Sequence, residues 1–270
     1  MSRYLKAELF RIRKSRGAII SIILIPLFLI INLGIGFRSG NVVVETNQPI
    51  GADFTLIMSE MLVAFIPFVL AIPIYSTVNK ETTEHGIKKA LESGISPASI
   101  YITKFINIIL VGILYALLMS IVISLVVLSL GYSFSECLNI FKTIIRVISI
   151  NFVPIMSLIS VYLFLLFCFR NEIITLISYF VIMGPINEIM TLIEKLTKIK
   201  NLRVIAEYVP SKLMMKLPTV FNFKETATLF GKELAAIPTV YILCTIYTIV
   251  LVGLGITIFS KRKVEGIWSI

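Results

Sequence analysis

The stretch Asn79–Lys104, NKETTEHGIKKALESGISPASIYITK, decides how the rest of the chain is read. It is short, charged and rich in helix-forming residues. It separates LIMSEMLVAFIPFVLAIPIY (Leu56 to Tyr75) from an apolar run between about Phe105 and Leu130. Runs of about 20 apolar residues are long enough to cross the hydrocarbon core of a bilayer as helices. The charged stretch is therefore a connection between two membrane spans. Glu84 and Lys88 stand four apart on a first helix, where opposite charges support each other. Gly94 stops that helix, and Ser96-Pro97 starts the next, since proline suits a first turn. The second helix then runs through Tyr101 and Lys104 into the following span. The stretch reads as a short helix on the membrane face, a sharp turn and a span.

The rest of the sequence fits that reading. The chain has 270 residues, of which 57% are hydrophobic and only 15% charged, with a mean hydropathy of +0.97. Soluble domains carry about a quarter charged residues. The expected fold is an all-α polytopic membrane protein, a single transmembrane domain with six transmembrane helices. The spans cover Ala18 to Gly36, Leu56 to Tyr75, about Phe105 to Leu130, about Ile144 to Phe169, a fifth starting near Ile173 and about Ile237 to Phe259. The fifth breaks at MGPINE, Met183 to Glu188, where Gly184 and Pro185 let the chain turn. Pro26, Pro67, Pro73 and Pro154 are further kink positions within spans.

Residues 1–16 precede the first span. Leu5, Leu9 and Ile12 follow helical spacing, with Arg3, Lys6, Arg13 and Lys14 largely off that stripe. This is an amphipathic interfacial helix. Its basic start followed by an apolar run is also the pattern of a signal peptide, but the run is long and no small-x-small cleavage site follows, so it reads as a retained span. Fourteen of the 25 Lys and Arg fall on the side of the N-terminus, including six before the first span and the closing Lys261-Arg262-Lys263. Both termini are accordingly read as cytoplasmic. The 77–104 loop is then cytoplasmic, and the 191–236 segment is outer and built of short amphipathic or re-entrant helices.

The formal net charge of +10 reflects basic residues at the ends of apolar runs, a topology and lipid-headgroup pattern. No aromatic-and-basic motif accompanies it, and no nucleic acid is expected as a partner. Cys137, Cys168 and Cys244 form no CxxC pair, and a lone His85 cannot supply a paired-histidine set, so no metal site is expected. Without a histidine or lysine in the middle of a span, Ser157 and Ser160 have no base, which counts against an intramembrane protease.

Four residues are candidates for a pathway or outer vestibule. Glu60 and Arg146 lie near outer span ends, Asn151 lies deeper in the fourth span, and Glu188 follows the Gly-Pro break. Charges in spans are costly and are paired or face water. Asn151 is placed to hydrogen-bond across helices.

Glu81, Glu84, Gly86, Lys88, Ser96, Pro97 and Lys104 occur in the order seen in the first cytoplasmic loop of type-2 ABC exporter membrane subunits, which the chain resembles. Ile87 stands where that family often has threonine. Tyr4 to Gly17, YLKAELFRIRKSRG, resembles the start of the branch linked to bacitracin and lantibiotic self-protection. The resemblance implies six spans, a coupling helix between spans two and three, and docking of a cytoplasmic ABC ATPase, present in two copies, through Glu81, Glu84, His85, Gly86, Ile87, Lys88 and Leu91. It implies that ATP and Mg are bound by that partner. This chain has no GxxxxGK[ST] of its own and no cofactor is expected in it. It further implies a second permease copy or sister permease and an amphipathic peptide as cargo. The high Ile and Lys content suggests a Gram-positive source. Two plainer readings stand beside it: a solvated connector at Asn79 to Lys104, and an ion-coupled secondary transporter. The latter requires an ionisable residue near mid-membrane, and the middles of the six runs carry none.

Overall fold

A computed structural model describes residues 6, 7, 10, 86–129, 133–169, 171–184, 186–197, 206–215, 217, 226–229 and 232–264. The expected first two spans and most of the N-terminal interfacial helix lie outside the described residues, although Lys6, Ala7 and Phe10 are helical and exposed. The described chain is almost entirely helical. In order it forms α1 (Gly86–Glu92), α2 (Pro97–Ser129), α3 (Phe134–Ile150), α4 (Phe152–Phe169), α5 (Glu172–Met183), α6 (Ile186–Thr197), α7 (Pro210–Met215), a hairpin of β1 (Thr226–Leu229) and β2 (Lys232–Ala235), and α8 (Ala236–Val264). Helices α2, α4 and α8 are long and apolar enough to cross a membrane.

In lipid, helices associate through close packing and hydrogen bonds, because tails and side chains are equally apolar. The broadest helix contact among the described residues is α4 against α8, followed by α2 against α3. Leu158, Ile159, Tyr162, Leu163 and Phe167 of α4 are buried in the main cluster, and the small Ser157 and Ser160 share that interior. One stripe of α2 instead carries Leu110, Ile113, Leu114, Leu117, Ile121, Leu125 and Leu128 outward, as a lipid-facing helix does.

The expected fourth span is interrupted. Helix α3 ends at Ile150, Asn151 is its C-cap, and α4 begins at Phe152. Pro154 is the cause: it has no N–H to offer the carbonyl four residues back, at Ile150. Helix α3 is amphipathic, with Cys137, Ile140, Ile144 and Val147 buried and Lys142 and Arg146 exposed. A capping box starts it. Ser133 Oγ accepts from the Glu136 N–H, and the Glu136 carboxylate accepts from the Ser133 N–H at 2.9 Å.

The break at MGPINE is present: α5 ends at Met183, and Gly184 caps it by donating to the Phe180 carbonyl at 2.9 Å. With 12 residues, α5 is too short to cross the hydrocarbon core before this turn. The 191–236 segment differs from the expectation of short helices alone. Beside α6 and α7 it contains the antiparallel β-hairpin, with Thr226 opposite Ala235 and Leu229 opposite Lys232. Helix α7 folds onto α4 and α8, burying Leu213 and Leu217 with Val240 and Cys244.

Candidate functional site

From Gly86 onward, the charged stretch Asn79–Lys104 folds as a capped corner. Helix α1 ends in paired reverse hydrogen bonds: Ile95 N–H donates to the Ala90 carbonyl at 3.1 Å and Gly94 N–H to the Leu91 carbonyl at 3.1 Å. This is the Schellman arrangement, which needs a left-handed residue, and Gly94 has φ +83°. Ser93 Oγ donates to the Ala90 carbonyl at 2.8 Å and satisfies it further. Two residues on, Ser96 Oγ accepts from Ser99 N–H at 3.2 Å and Pro97 begins α2. No loop slack separates the short helix from the long one.

The two faces of α1 differ. Ile87 is 1% exposed and Ala90 is buried with it, and both belong to the main apolar cluster, with Leu91 and Ile95 packed against that cluster. Lys89, Glu92, Ser93 and Gly94 are exposed. Of the sequence-derived coupling residues, Gly86 and Lys88 lie within α1, Ile87 faces the bundle, and Leu91 is half-buried. Glu81, Glu84 and His85 lie outside the described residues, as does Glu60.

Beyond the corner, α2 turns polar groups inward. Thr103, Lys104 and Asn107 are all buried, Lys104 only 2% exposed. The Thr103 hydroxyl and both polar atoms of the Asn107 amide find no hydrogen-bond partner among the described residues. From sequence, Lys104 is simply the charge at a span end. The signal for its burial is its place on the stripe Tyr101, Lys104, Ile108, Val111 and Tyr115, every member of which is buried. A lysine buried so close to a span entrance makes this turn a candidate site.

The pathway candidates lie elsewhere. Arg146 is exposed on α3, before the α4 span rather than inside it, and Glu188 is exposed in the first turn of α6. Asn151 is buried at the α3–α4 break. Its side-chain amide donates back to the Val147 carbonyl at 2.8 Å, within its own helix and not across to another. Its Oδ1 has no partner among the described residues. Outside the spans, hydrogen bonds from the Ser133 side chain and then its backbone hold the Glu136 carboxyl below its ordinary pKa.

A family model described as ABC-2 family transporter protein matches residues 4–185, about two thirds of the chain. The chain belongs to the ABC-2 transporter family. The matched region includes the corner, the buried polar turn of α2, the α3–α4 break and α5. No curated protein matches the chain, and no solved structure does. As an ABC-2 transporter protein it is a membrane permease whose family implies an ABC ATPase as partner, and which is typically the non-catalytic subunit. The connector between apolar runs belongs to a chain whose family implies an ATPase partner.

Proposed function

We propose that this ABC-2 protein is the permease subunit of an ATP-driven exporter that moves amphipathic or antimicrobial peptides out of the cell or its membrane. Two ATPase copies would serve two permease subunits, either two copies of this chain or this chain and a sister. Both termini lie in the cytoplasm, in the plasma membrane of a Gram-positive cell. The observation that carries the reading is the corner: α1 offers an exposed charged face, is seated on the bundle by Ile87 and Ala90, and joins a span through a capped turn. A docked ATPase that closes on ATP pushes such a helix as a unit, and its differential contacts in the two nucleotide states shift the population of the spans.

Gentle purification of the tagged chain from its own membrane tests the reading, with mass spectrometry of what accompanies it. A stoichiometric ATPase with vanadate-sensitive activity supports it. A chain that purifies alone, without ATPase activity, moves the assignment to a secondary transporter. Replacing Glu84 or Gly86 is expected to uncouple ATP hydrolysis from transport with expression intact, and unchanged coupling in both variants removes the docking role. Cargo class is tested separately, by sensitivity of cells lacking the chain to bacitracin-like and lantibiotic-like peptides.

A further inference from the structure

Four aromatic and glycine positions join the corner to the last helix. Tyr101, on the second turn of α2, is fully buried. Its ring centroid lies 5.0 Å from that of Phe167 on α4, tilted by 43°, and Phe167 lies 4.8 Å from Phe259 on α8, tilted by 51°. Both spacings suit attractive ring pairs. Gly255, one turn before Phe259 on α8, faces the edge of the Tyr101 ring so closely that a methyl group there would overlap the hydroxyl and two ring carbons. The ring of Tyr101 thus sits in a notch that only glycine leaves open. Ile87 and Ala90 of α1 belong to the same buried cluster as Tyr101, Phe167 and Phe259.

We propose that Tyr101 is a positioning residue that keys the α1–α2 corner to the α4–α8 pair, so that a displacement of α1 is delivered to α8 through the Gly255 notch. The proposal rests on the reading of α1 as the ATPase-docking element. Energetic coupling is carried by chains of packed side chains and rigid secondary elements. From Ala90 to Tyr101 the chain offers a Schellman turn, a proline-started helix and a rigid ring, with no flexible segment between them. Because α8 packs more broadly on α4 than on α2, a push at Gly255 and Phe167 moves α4 and α8 together.

The test uses the ATPase–permease complex in lipid nanodiscs, with the three native cysteines replaced by alanine. An environment-sensitive fluorophore is placed at Ser93 on the corner or at Ile249 on the exposed face of α8, and read with and without ATP plus vanadate. Both reporters are expected to respond with Tyr101 present. Tyr101→Leu is expected to keep the Ser93 response and to reduce that at Ile249 at least threefold, whereas Tyr101→Phe, which keeps the ring, retains both. Should Tyr101→Leu fail to assemble, Gly255→Ala closes the notch from the other side and is expected to give the same loss. An Ile249 response undiminished in Tyr101→Leu or Gly255→Ala overturns the proposal and leaves the docking reading standing. Silence of both reporters before any substitution at Tyr101 or Gly255 overturns the docking reading, and this proposal with it.

Discussion

The Tyr241 hydroxyl of α8 donates to the Ile150 carbonyl at the end of α3, 2.7 Å away and 91 residues back in the chain. That carbonyl is the one Pro154 leaves without a helical partner. Non-helical backbone at membrane depth persists only where protein or water satisfies it. The last helix therefore closes a gap that a proline opened in an earlier one.

Removing the hydroxyl has a defined cost. Tyr241→Phe leaves the Ile150 carbonyl unpaired, which destabilises by about 1–3 kcal/mol, and the half-buried position of Tyr241 favours the lower end. Pro154→Ala restores an N–H for the same carbonyl. In a double-mutant cycle, Tyr241→Phe is expected to cost measurably less on the Pro154→Ala background. Thermal unfolding of the four proteins in one detergent reads this, and equal costs on both backgrounds refute it.

The two ends of this contact are unequally legible in the sequence. Pro154 announces a kink near Ile150 from sequence alone, because the missing N–H is a local fact. That Tyr241 fills the gap is a tertiary fact with no local trace. The same division holds elsewhere. Gly94, Ser96-Pro97 and the Gly184 break follow from turn chemistry within a few residues, and the structure has them. The hairpin at 226–235 escapes a pattern-based reading, since each strand is only four residues long and shows no sustained period. The polarity of Lys104 points to a span end in water, and the apolar stripe around it overrides that polarity.

Gly94 makes a prediction about backbone alone. At φ +83°, with nothing within 4 Å of the place a methyl group would take, alanine meets no clash and only the cost of the left-handed conformation. That cost is about 1 kcal/mol, and asparagine suffers less because it visits this region more readily. Gly94→Ala is expected to raise hydrogen exchange at the Gly94 and Ile95 amides about fivefold, with Gly94→Asn in between. Identical protection in all three proteins would contradict a glycine requirement here.

The capping box of α3 predicts a response to pH. Ser133 lowers the Glu136 pKa in the folded protein, so the ionised carboxylate favours the folded helix start. The contribution is fully present above the unfolded carboxyl pKa. It fades as pH falls through that value and is lost below the folded one. Ser133→Ala removes the largest cause, and the Glu136 titration is expected to move up toward that of an ordinary glutamate. A carbon-detected NMR titration of labelled glutamates follows this directly. An unmoved Glu136 midpoint would assign the shift to something other than Ser133.

The two faces of α1 give the sharpest contrast. Ile87 is sealed in the bundle, and truncation to alanine removes buried atoms and leaves a cavity, at a cost of about 2–5 kcal/mol. Ile87→Ala is thus expected to lower thermal stability of the permease whether or not an ATPase is bound. Lys89 is exposed on the same helix, and exposed substitutions stay within about 0.5 kcal/mol of the parent in stability. Reversing its charge instead acts on whatever docks there. If α1 is the docking element, Lys89→Glu leaves the melting temperature of the isolated permease unchanged and weakens ATPase retention roughly fivefold, more so at low salt. The reverse pattern, a stable ATPase complex with Lys89→Glu and a melting temperature insensitive to Ile87→Ala, would mean that the helix neither seats on the bundle nor presents its charged face to a partner.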